Sequence, residues 1–314
     1  MLVPIVAVLV GLVLLTRAAD VFVEGAARLS AALNVSPVII GAVVIGFGTS
    51  APEMVVSAIA SAQGKLDIAI GNIIGSNTAN LSLIFGISAL LCVMRIDSSI
   101  LRREAPLSAA AVALFAVLVQ GGLTRTEGGI LAVAMAAALA YLFLGPETGS
   151  AELATEVDEY VEEGEPVALG REAMRTLLGL LVVIAGAQLT VEGASEIADQ
   201  LDLGEGFVGL TLVAIGTSLP ELVTSVAAAR KGEEELIVGN LLGSNLFNSV
   251  GVGAIAGLVG PGPLDDGNLA GIGTVVMLVV VFGAWLFMTT GRRVTRLEAV
   301  ALLGGYAAAV PLLA

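Results

Sequence analysis

The chain has 314 residues, of which 57% are hydrophobic and 13% are charged, and its mean hydropathy is +0.98. Soluble domains are about half apolar and about a quarter charged, so this composition excludes an ordinary soluble protein and predicts an all-α polytopic membrane protein. The net charge of −14 excludes a nucleic-acid-binding protein, which needs a basic surface. With no histidine and a single cysteine, Cys92, the chain cannot form an internal disulfide and is unsuited to a zinc, copper or iron site.

Ten apolar segments are each long enough to cross a bilayer as a helix, which takes about 20 residues. They lie near residues 2–18, 36–62, 66–93, 104–122, 126–145, 172–197, 205–229, 235–259, 268–290 and 296–314. The first segment lacks a basic leader and a small-residue cleavage site, so we interpret it as a span and not as a signal peptide. We expect the first and sixth spans to continue beyond their apolar cores as long, tilted helices.

Basic residues divide unevenly between the loops when the loops are assigned alternately to two sides of the membrane. One side receives only Lys65 and Arg125. The other side receives Arg17, Arg28, Arg95, Arg102, Arg103, Arg171, Arg175, Arg230, Lys231, Arg292, Arg293 and Arg296. Because basic loops stay in the cytoplasm, this bias predicts a multi-pass protein of the cell membrane with both termini outside.

Two stretches of the chain repeat each other at a constant offset of 168 residues, without a gap. The first copy occupies residues 46–80 and the second occupies residues 214–248. The polar positions are the ones that match, and Glu53 falls on Glu221. The match predicts a duplicated unit whose polar residues serve the same purpose in both copies.

The two copies lie five predicted spans apart, and because five is odd they should cross the membrane in opposite directions. The sequence therefore predicts two inverted-topology repeats of five helices, residues 1–145 and residues 171–314. Transporters built in this way hold their substrate at the repeat interface near the middle of the bilayer. The acidic stretch 146–170 between the halves reads as a cytoplasmic linker, because it lacks the spacing of a Ca²⁺-sensing loop.

Glu53 and Glu221 each lie near the middle of a predicted span. An ionised carboxylate in the hydrocarbon region costs at least ~2.5–3.5 kcal/mol, so it needs a partner. No Lys or Arg lies at a comparable depth in the same spans. The charge must be met by a bound cation or removed by protonation, and two converging carboxylates would match one divalent cation or several monovalent ones.

Neutral oxygen atoms precede each glutamate. Thr49 and Ser50 stand four and three residues before Glu53, so all three share a face if the segment is helical. Pro52 and Pro220 interrupt that helix, and unwound carbonyls of broken helices are known cation ligands in transporters.

On the following span a polar stripe recurs at every fourth residue, in Asn72, Ser76 and Asn80. The second copy has the same stripe, in Asn240, Ser244 and Asn248. Such oxygen ligands suit hard cations such as Ca²⁺, Na⁺ and Mg²⁺. For any single Ser, Thr or Asn, a hydrogen bond between helices is a better explanation than cation binding. That explanation does not account for two buried glutamates.

The motifs that carry these residues resemble the paired α-repeats of the sodium/calcium exchanger family. They are GTSAPE and GNIIGSNTAN in the first copy, and GTSLPE and GNLLGSNLFN in the second. The resemblance covers essentially the whole chain. Within the cation/Ca²⁺ antiporter superfamily, the serine that follows threonine in both GTS motifs resembles the sodium-coupled branch.

The resemblance implies a ligand for each transported ion. Glu53 and Glu221 would be the central Ca²⁺ ligands, together with the backbone carbonyls of Thr49 and Thr217. The flanking Na⁺ sites would be formed by Ser50, Ser76 and the Gly46 carbonyl, and by Ser218, Ser244 and the Ala214 carbonyl. Asn80 and Asn248 would line the centre, and two amides there weaken the case for K⁺ co-transport.

These residues predict a monomeric secondary active antiporter in the lipid bilayer that exchanges Na⁺ for Ca²⁺ by alternating access. The protein would not be an enzyme and would use no cofactor beyond the transported Ca²⁺ and Na⁺. The alternative is an H⁺-coupled Ca²⁺/cation exchanger, in which a pH gradient would drive Ca²⁺ flux without Na⁺. Inverted broken helices disfavour a channel, and the absence of histidine disfavours an intramembrane hydrolase.

Overall fold

The computed structural model describes residues 1–32, 50–96, 98–144, 168–232 and 234–312. These residues are mostly helical, which confirms the predicted helical class. Gly46, Thr49 and most of the predicted linker 146–170 lie outside the described residues.

Helices account for nearly all of the described secondary structure. Up to residue 144 they are α1 (Leu2–Ala32), α2 (Ala51–Ala62), α3 (Leu66–Ala79), α4 (Phe85–Leu91), α5 (Ser98–Arg102), α6 (Glu104–Leu118) and α7 (Arg125–Leu144). From residue 169 they are α8 (Leu169–Leu201), α9 (Glu205–Val208), α10 (Ala214–Thr217), α11 (Leu219–Lys231), α12 (Glu234–Leu246), α13 (Gly253–Val259), α14 (Thr274–Thr289) and α15 (Arg296–Leu312). Short π-helical segments adjoin some of them, namely π1 (Asn80–Ile84), π2 (Gly209–Val213), π3 (Phe247–Val252) and π4 (Leu269–Gly273).

A two-stranded antiparallel sheet departs from the predicted all-α fold. It pairs β1 (Met94–Arg95) with β2 (Arg293–Val294), and Met94 lies opposite Val294. Next to it, the Ile96 amide donates to the Arg292 carbonyl oxygen at 2.9 Å. Loop backbone groups need hydrogen-bond partners when they are shielded from water, and this pairing supplies them. The sheet thereby ties the end of α4 to the start of α15.

Within the described residues, seven helical stretches are long and apolar enough to cross a membrane, and a bent pair formed by Glu205–Thr217 and Leu219–Lys231 makes an eighth. Of the predicted spans 36–62 and 296–314, the described parts contain the shorter helices α2 and α15, while residues 36–49 and 313–314 lie outside the described residues. The helices α1 and α8 have 31 and 33 residues, so the first and sixth spans do extend beyond their predicted cores.

The two spans that carry the polar stripes form the centre of the bundle. The stretch Leu66–Leu91 is 83% buried and Glu234–Val259 is 78% buried, against 22–44% for the five other continuous spans. The outer helices expose large apolar side chains, such as Val133 and Val279, as a lipid-facing surface requires. Five of the six residues of the polar stripes are buried in protein, and the sixth, Asn240, is half-buried.

Helices α1 and α8 pack closely along their length in opposite directions. A Cβ atom built on Gly11 would lie 2.7 Å from the Gly186 carbonyl oxygen, and one on Gly193 would lie 2.8 Å from the Pro4 carbonyl oxygen. The early residues of α1 thus lie beside the late residues of α8. Small residues permit this approach, which in lipid supplies much of the association energy between helices.

Gly71 and Gly75 of α3 provide the second close approach, against the bent pair. A Cβ atom on Gly75 would lie 2.6 Å from the Ala214 Cβ atom, and one on Gly71 would lie 2.8 Å from the Leu210 amide nitrogen. This approach brings α3 directly against the second copy of the repeat.

Substitution of Gly75 by alanine should lower the melting temperature of the detergent-solubilised protein. Alanine is the better helix former by up to ~1 kcal/mol, but overpacking against backbone costs typically ~1–3 kcal/mol, so the net effect should be destabilising. Gly129→Ala on α7 is the matched control, because no atom lies within 4 Å of its added Cβ. An equal or higher melting temperature for Gly75→Ala than for Gly129→Ala would contradict this account of the packing.

Candidate functional site

Both glutamates lie three residues after a serine whose backbone angles depart from those of a regular helix. Ser50 has φ −91° and ψ 8°, and Ser218 has φ −85° and ψ 10°, so the chain takes the same turn at the two repeat-related positions. At Ser218 the flanking helices bend by 44°. Pro52 and Pro220 lie in the first turn of α2 and α11, where a missing amide proton is tolerated. The predicted interruption near Pro220 is therefore confirmed, with the serine at the break.

The two carboxylates are buried and incompletely hydrogen-bonded. Glu53 and Glu221 are each 1% exposed. The Ser218 hydroxyl donates to Glu53 Oε1 at 3.2 Å, and the Ser244 hydroxyl donates to Glu221 Oε1 at 3.4 Å. The Oε2 atom of each glutamate accepts no hydrogen bond from the described residues. Each carboxylate thus has one oxygen that accepts a hydrogen bond and one that accepts none, and both keep lone pairs for a ligand.

The fold brings these two acids together without a basic side chain. Their charges are close enough to repel each other, and the ion pairs of the described residues involve neither. Both acids lie in the first turn of a helix, where the helix dipole stabilises a negative charge by about 0.3–1 kcal/mol. This is less than the ~2.5–3.5 kcal/mol that membrane burial costs each charge, before their mutual repulsion is added. Stable ionisation therefore requires a cation.

Four other buried oxygens of the predicted ligand residues also lack a hydrogen bond from the described residues. They are Ser50 Oγ, Ser76 Oγ, Asn80 Oδ1 and Asn248 Oδ1. Buried polar atoms are normally hydrogen-bonded, so such a set needs an explanation. Oxygens from carboxylates, hydroxyls and amides are the ligands that Ca²⁺ and Na⁺ prefer.

At this site, each helix that carries a glutamate packs against elements from both copies of the repeat. Helix α2, which carries Glu53, packs against α3 and also against π3, which contains Asn248. Helix α11, which carries Glu221, packs against α12 and also against π1, which begins at Asn80. Each glutamate is therefore flanked by polar segments from both copies of the repeat. Short π segments often occur at functional sites.

Ten of the twelve predicted ligand residues lie within the described residues, and all ten are at most 3% exposed. The Thr217 hydroxyl donates to Asn72 Oδ1 at 3.1 Å and to the Ala214 carbonyl oxygen at 3.3 Å. The same Ala214 carbonyl accepts from the Ser218 amide at 3.0 Å. Gly46 and Thr49 fall outside the described residues.

Several polar residues at the site serve as bridges between helices. Asn72 Nδ2 donates to Ser57 Oγ at 3.1 Å, while its Oδ1 accepts from Thr217, so Asn72 joins the two copies. Asn77 and Asn245, a polar pair that also matches at the 168-residue offset, hydrogen-bond across the copies as well. The offset marks this pair as part of the repeat, but no local pattern assigns either residue a role.

The chain is similar to known proteins over almost its whole length. The family model described as "Sodium/calcium exchanger protein" matches residues 3–144 and 173–313. The chain is 38% identical over 307 residues to the putative antiporter CaxA of Alkalimonas amylolytica, with 96% of each covered. It is 30% identical to the sodium/calcium exchanger MaX1 of Methanosarcina acetivorans, with 96% of this chain and 95% of the relative covered.

A solved structure of the sodium-calcium exchanger NCX_Mj, soaked with Na⁺ and Ca²⁺, has a TM-score of 0.64 and 30% sequence identity to this chain. The alignment covers 99% of this chain and 98% of that one. At this identity, the likeness extends to sequence as well as to fold.

Replacing Asn72 with alanine should destabilise the folded protein by about 1–3 kcal/mol, because it leaves buried partners without hydrogen bonds. Asn268→Ala is the control, since Asn268 is exposed, and it should leave the melting temperature nearly unchanged. Thermal unfolding of both variants in the same detergent measures the difference. Equal melting temperatures would show that the bridge through Asn72 contributes nothing to stability.

Proposed function

The chain belongs to the sodium/calcium exchanger family, and on that premise we propose that it is an antiporter exchanging Na⁺ for Ca²⁺ by alternating access. The observation that carries the proposal is the pair Glu53 and Glu221, buried together with no basic partner among the described residues. A site of this kind needs cations to remain charged, and it loses them only in exchange for others.

The proposed Ca²⁺ site matches the coordination that this ion requires. The carboxylates of Glu53 and Glu221 can supply up to four oxygens, and the carbonyls of Thr49 and Thr217 would supply two more. This reaches the lower end of the about 6–8 oxygens that Ca²⁺ takes. One Ca²⁺ would also neutralise both carboxylates.

The proposed Na⁺ sites share ligands with the Ca²⁺ site. Ser218 and Ser244 already hydrogen-bond to Glu53 and Glu221, so a Na⁺ held by either serine oxygen would lie next to a carboxylate that Ca²⁺ also needs. Ser50, Ser76 and the carbonyls of Gly46 and Ala214 would complete these sites, with Asn80 and Asn248 lining the centre. Na⁺ and Ca²⁺ then compete for the same negative charge, which is the physical basis of exchange.

Alternating access follows from the same charge. With the ions removed, two uncompensated carboxylates would have to pass through a dry, low-dielectric state as the protein reorients, at a cost of several kcal/mol. With Ca²⁺ or Na⁺ bound, that cost is removed. Loaded forms should therefore reorient readily and the empty form should not, so that movement of one ion is tied to movement of the other.

We assign the moving part to the two long helices α1 and α8. Besides their glycine contacts, Arg175 Nη1 donates to Glu24 Oε1 at 2.8 Å, and Arg28 pairs with the same oxygen at 3.0 Å. These contacts would let the two long helices slide over the central bundle as one body.

The proposed architecture is ten spans in two inverted repeats, 1–145 and 171–314. It is supported by the antiparallel contact of α1 with α8, because these helices occupy equivalent places in the two copies. Helices that are equivalent in sequence but opposite in direction are what an inverted repeat requires.

The proposed orientation places both termini of a monomer outside the cell membrane. It is supported by contacts between loops that the basic-residue count assigns to one side. Arg95 lies opposite Arg293 in the sheet on the basic side, and Leu123 pairs with Gly262 on the other. Loops predicted to share a side of the membrane are thus in contact.

Glu53→Gln and Glu221→Gln should each abolish Na⁺-driven ⁴⁵Ca²⁺ uptake into proteoliposomes, because each amide removes one of the two charges that hold Ca²⁺. Glu196→Gln is the control, since Glu196 is exposed and bonds only to the nearby Gln200 among the described residues. It should transport as the unaltered protein does. Uptake at the unaltered rate in either buried variant would refute the site.

The coupling ion can be identified in a single preparation of vesicles under outward gradients of Na⁺, K⁺ or H⁺. We expect Ca²⁺ uptake with the Na⁺ gradient alone. A proton can also neutralise a buried carboxylate, so an H⁺-coupled Ca²⁺/cation exchanger is the alternative. Uptake driven by the pH gradient in Na⁺-free buffer would replace the present proposal by that one.

A further inference from the structure

We propose that Asn245 is a positioning residue that orients the amide of Asn80, so that the Asn80 carbonyl oxygen, and not its NH₂ group, is available to the transported cation. The two residues belong to different copies of the repeat, so the second copy would set the orientation of a ligand carried by the first. The inference rests on the proposed function, because it assumes that Asn80 lines the ion site.

The orientation of Asn245 is set by a backbone group. Asn245 is fully buried, and its Nδ2 donates to the Asn77 carbonyl oxygen at 3.1 Å. A backbone carbonyl can only accept hydrogen bonds, so Asn245 must direct its NH₂ group toward Asn77. Its Oδ1 atom consequently faces the other way.

The orientation of Asn80 follows from that of Asn245. Asn80 Nδ2 donates to Asn245 Oδ1 at 2.9 Å, and an amide oxygen again can only accept. Asn80 Oδ1 is then left buried, with no hydrogen bond from the described residues. Reversing the Asn80 amide would place two oxygens against each other and would present NH₂ to a cation, which needs oxygen.

This relay of hydrogen bonds, from the Asn77 carbonyl through Asn245 to Asn80, has no equivalent at the repeat-related position. At the repeat-related position, Asn77 Nδ2 donates to Ser249 Oγ at 2.9 Å, and Asn77 Oδ1 accepts no hydrogen bond from the described residues. The counterpart of Ser249 at the 168-residue offset is Leu81, which has no acceptor. Of the two central amides, Asn80 is therefore the one whose orientation is fixed from the opposite copy by this means.

The test separates orientation from simple support of the fold. The two oxygens of an aspartate side chain are equivalent, and both accept hydrogen bonds. In Asn80→Asp, residue 80 therefore presents an oxygen to the cation whichever way its side chain is turned. The aspartate also gains no hydrogen bond from Asn245, because Asn245 Oδ1 would face one of the aspartate oxygens. If Asn245 acts by orienting residue 80, its removal should matter with asparagine there and not with aspartate.

The experiment measures the KM for Ca²⁺ of Na⁺-driven uptake by the full-length protein in proteoliposomes. Asn245→Leu, which is close to isosteric, should raise the KM about 10-fold or more, as loss of an outer-shell partner typically does. In the Asn80→Asp background the same substitution should change the KM by no more than about 2-fold. Ser249→Ala is the matched control, since it removes a hydrogen bond of the same network that does not reach Asn80, and it should leave the KM unchanged.

A second variant covers the case in which Asn245→Leu does not fold. Asn245→Asp keeps an acceptor for Asn80 Nδ2 but cannot donate to Asn77, so the KM should stay near that of the unaltered protein even if the melting temperature falls. Equal losses of affinity from Asn245→Leu in both backgrounds, or a raised KM in Asn245→Asp, would overturn the inference. Absence of Na⁺-driven uptake in the unaltered protein would instead overturn the proposed function.

Discussion

The structure depends on two negative charges that the chain cannot neutralise by itself. Glu53 and Glu221 are buried among apolar helices and repel each other, and one oxygen of each lacks a hydrogen bond from the described residues. In water such a pair would be unremarkable, but inside a membrane its cost is comparable to a large part of a protein's net stability. In the described part of the chain, the helices around this pair bring oxygen atoms to it, and no ion pair with a basic side chain involves either acid.

Irregular helix geometry makes that arrangement possible. A regular helix uses its carbonyl and amide groups internally, so it offers a cation only side chains. The break at Ser218 and the π segments that contain Asn80 and Asn248 depart from this pattern next to the helices that carry the glutamates. Irregular backbone is tolerated in a membrane where it is enclosed by protein, and the two central spans are the most buried of the described spans.

Much of the site could be predicted from the sequence because the duplication marks it. The constant offset of the repeat identified Glu53, Glu221 and their hydroxyl and amide neighbours. Hydropathy identified the helical class. Both signals depend on local composition and spacing, which the sequence contains. The short sheet between β1 and β2 was missed, because a two-residue strand has no periodicity to detect and forms through a partner about 200 residues away. The length of α1 was anticipated from the polar residues that interrupt its apolar core.

The roles of individual amides depended on tertiary structure. In the sequence, Asn72, Asn77 and Asn80 are equally polar residues of one helical segment, and nothing local separates a ligand from a bridge. In the folded protein Asn72 reaches Thr217 and Asn80 reaches Asn245, both in the other copy of the repeat. The sequence by itself therefore determined which residues enter the membrane as polar groups. Only the packing of one copy on the other decided which oxygens are used up in hydrogen bonds and which are left for an ion, because each amide's orientation is set by a partner far away in the chain.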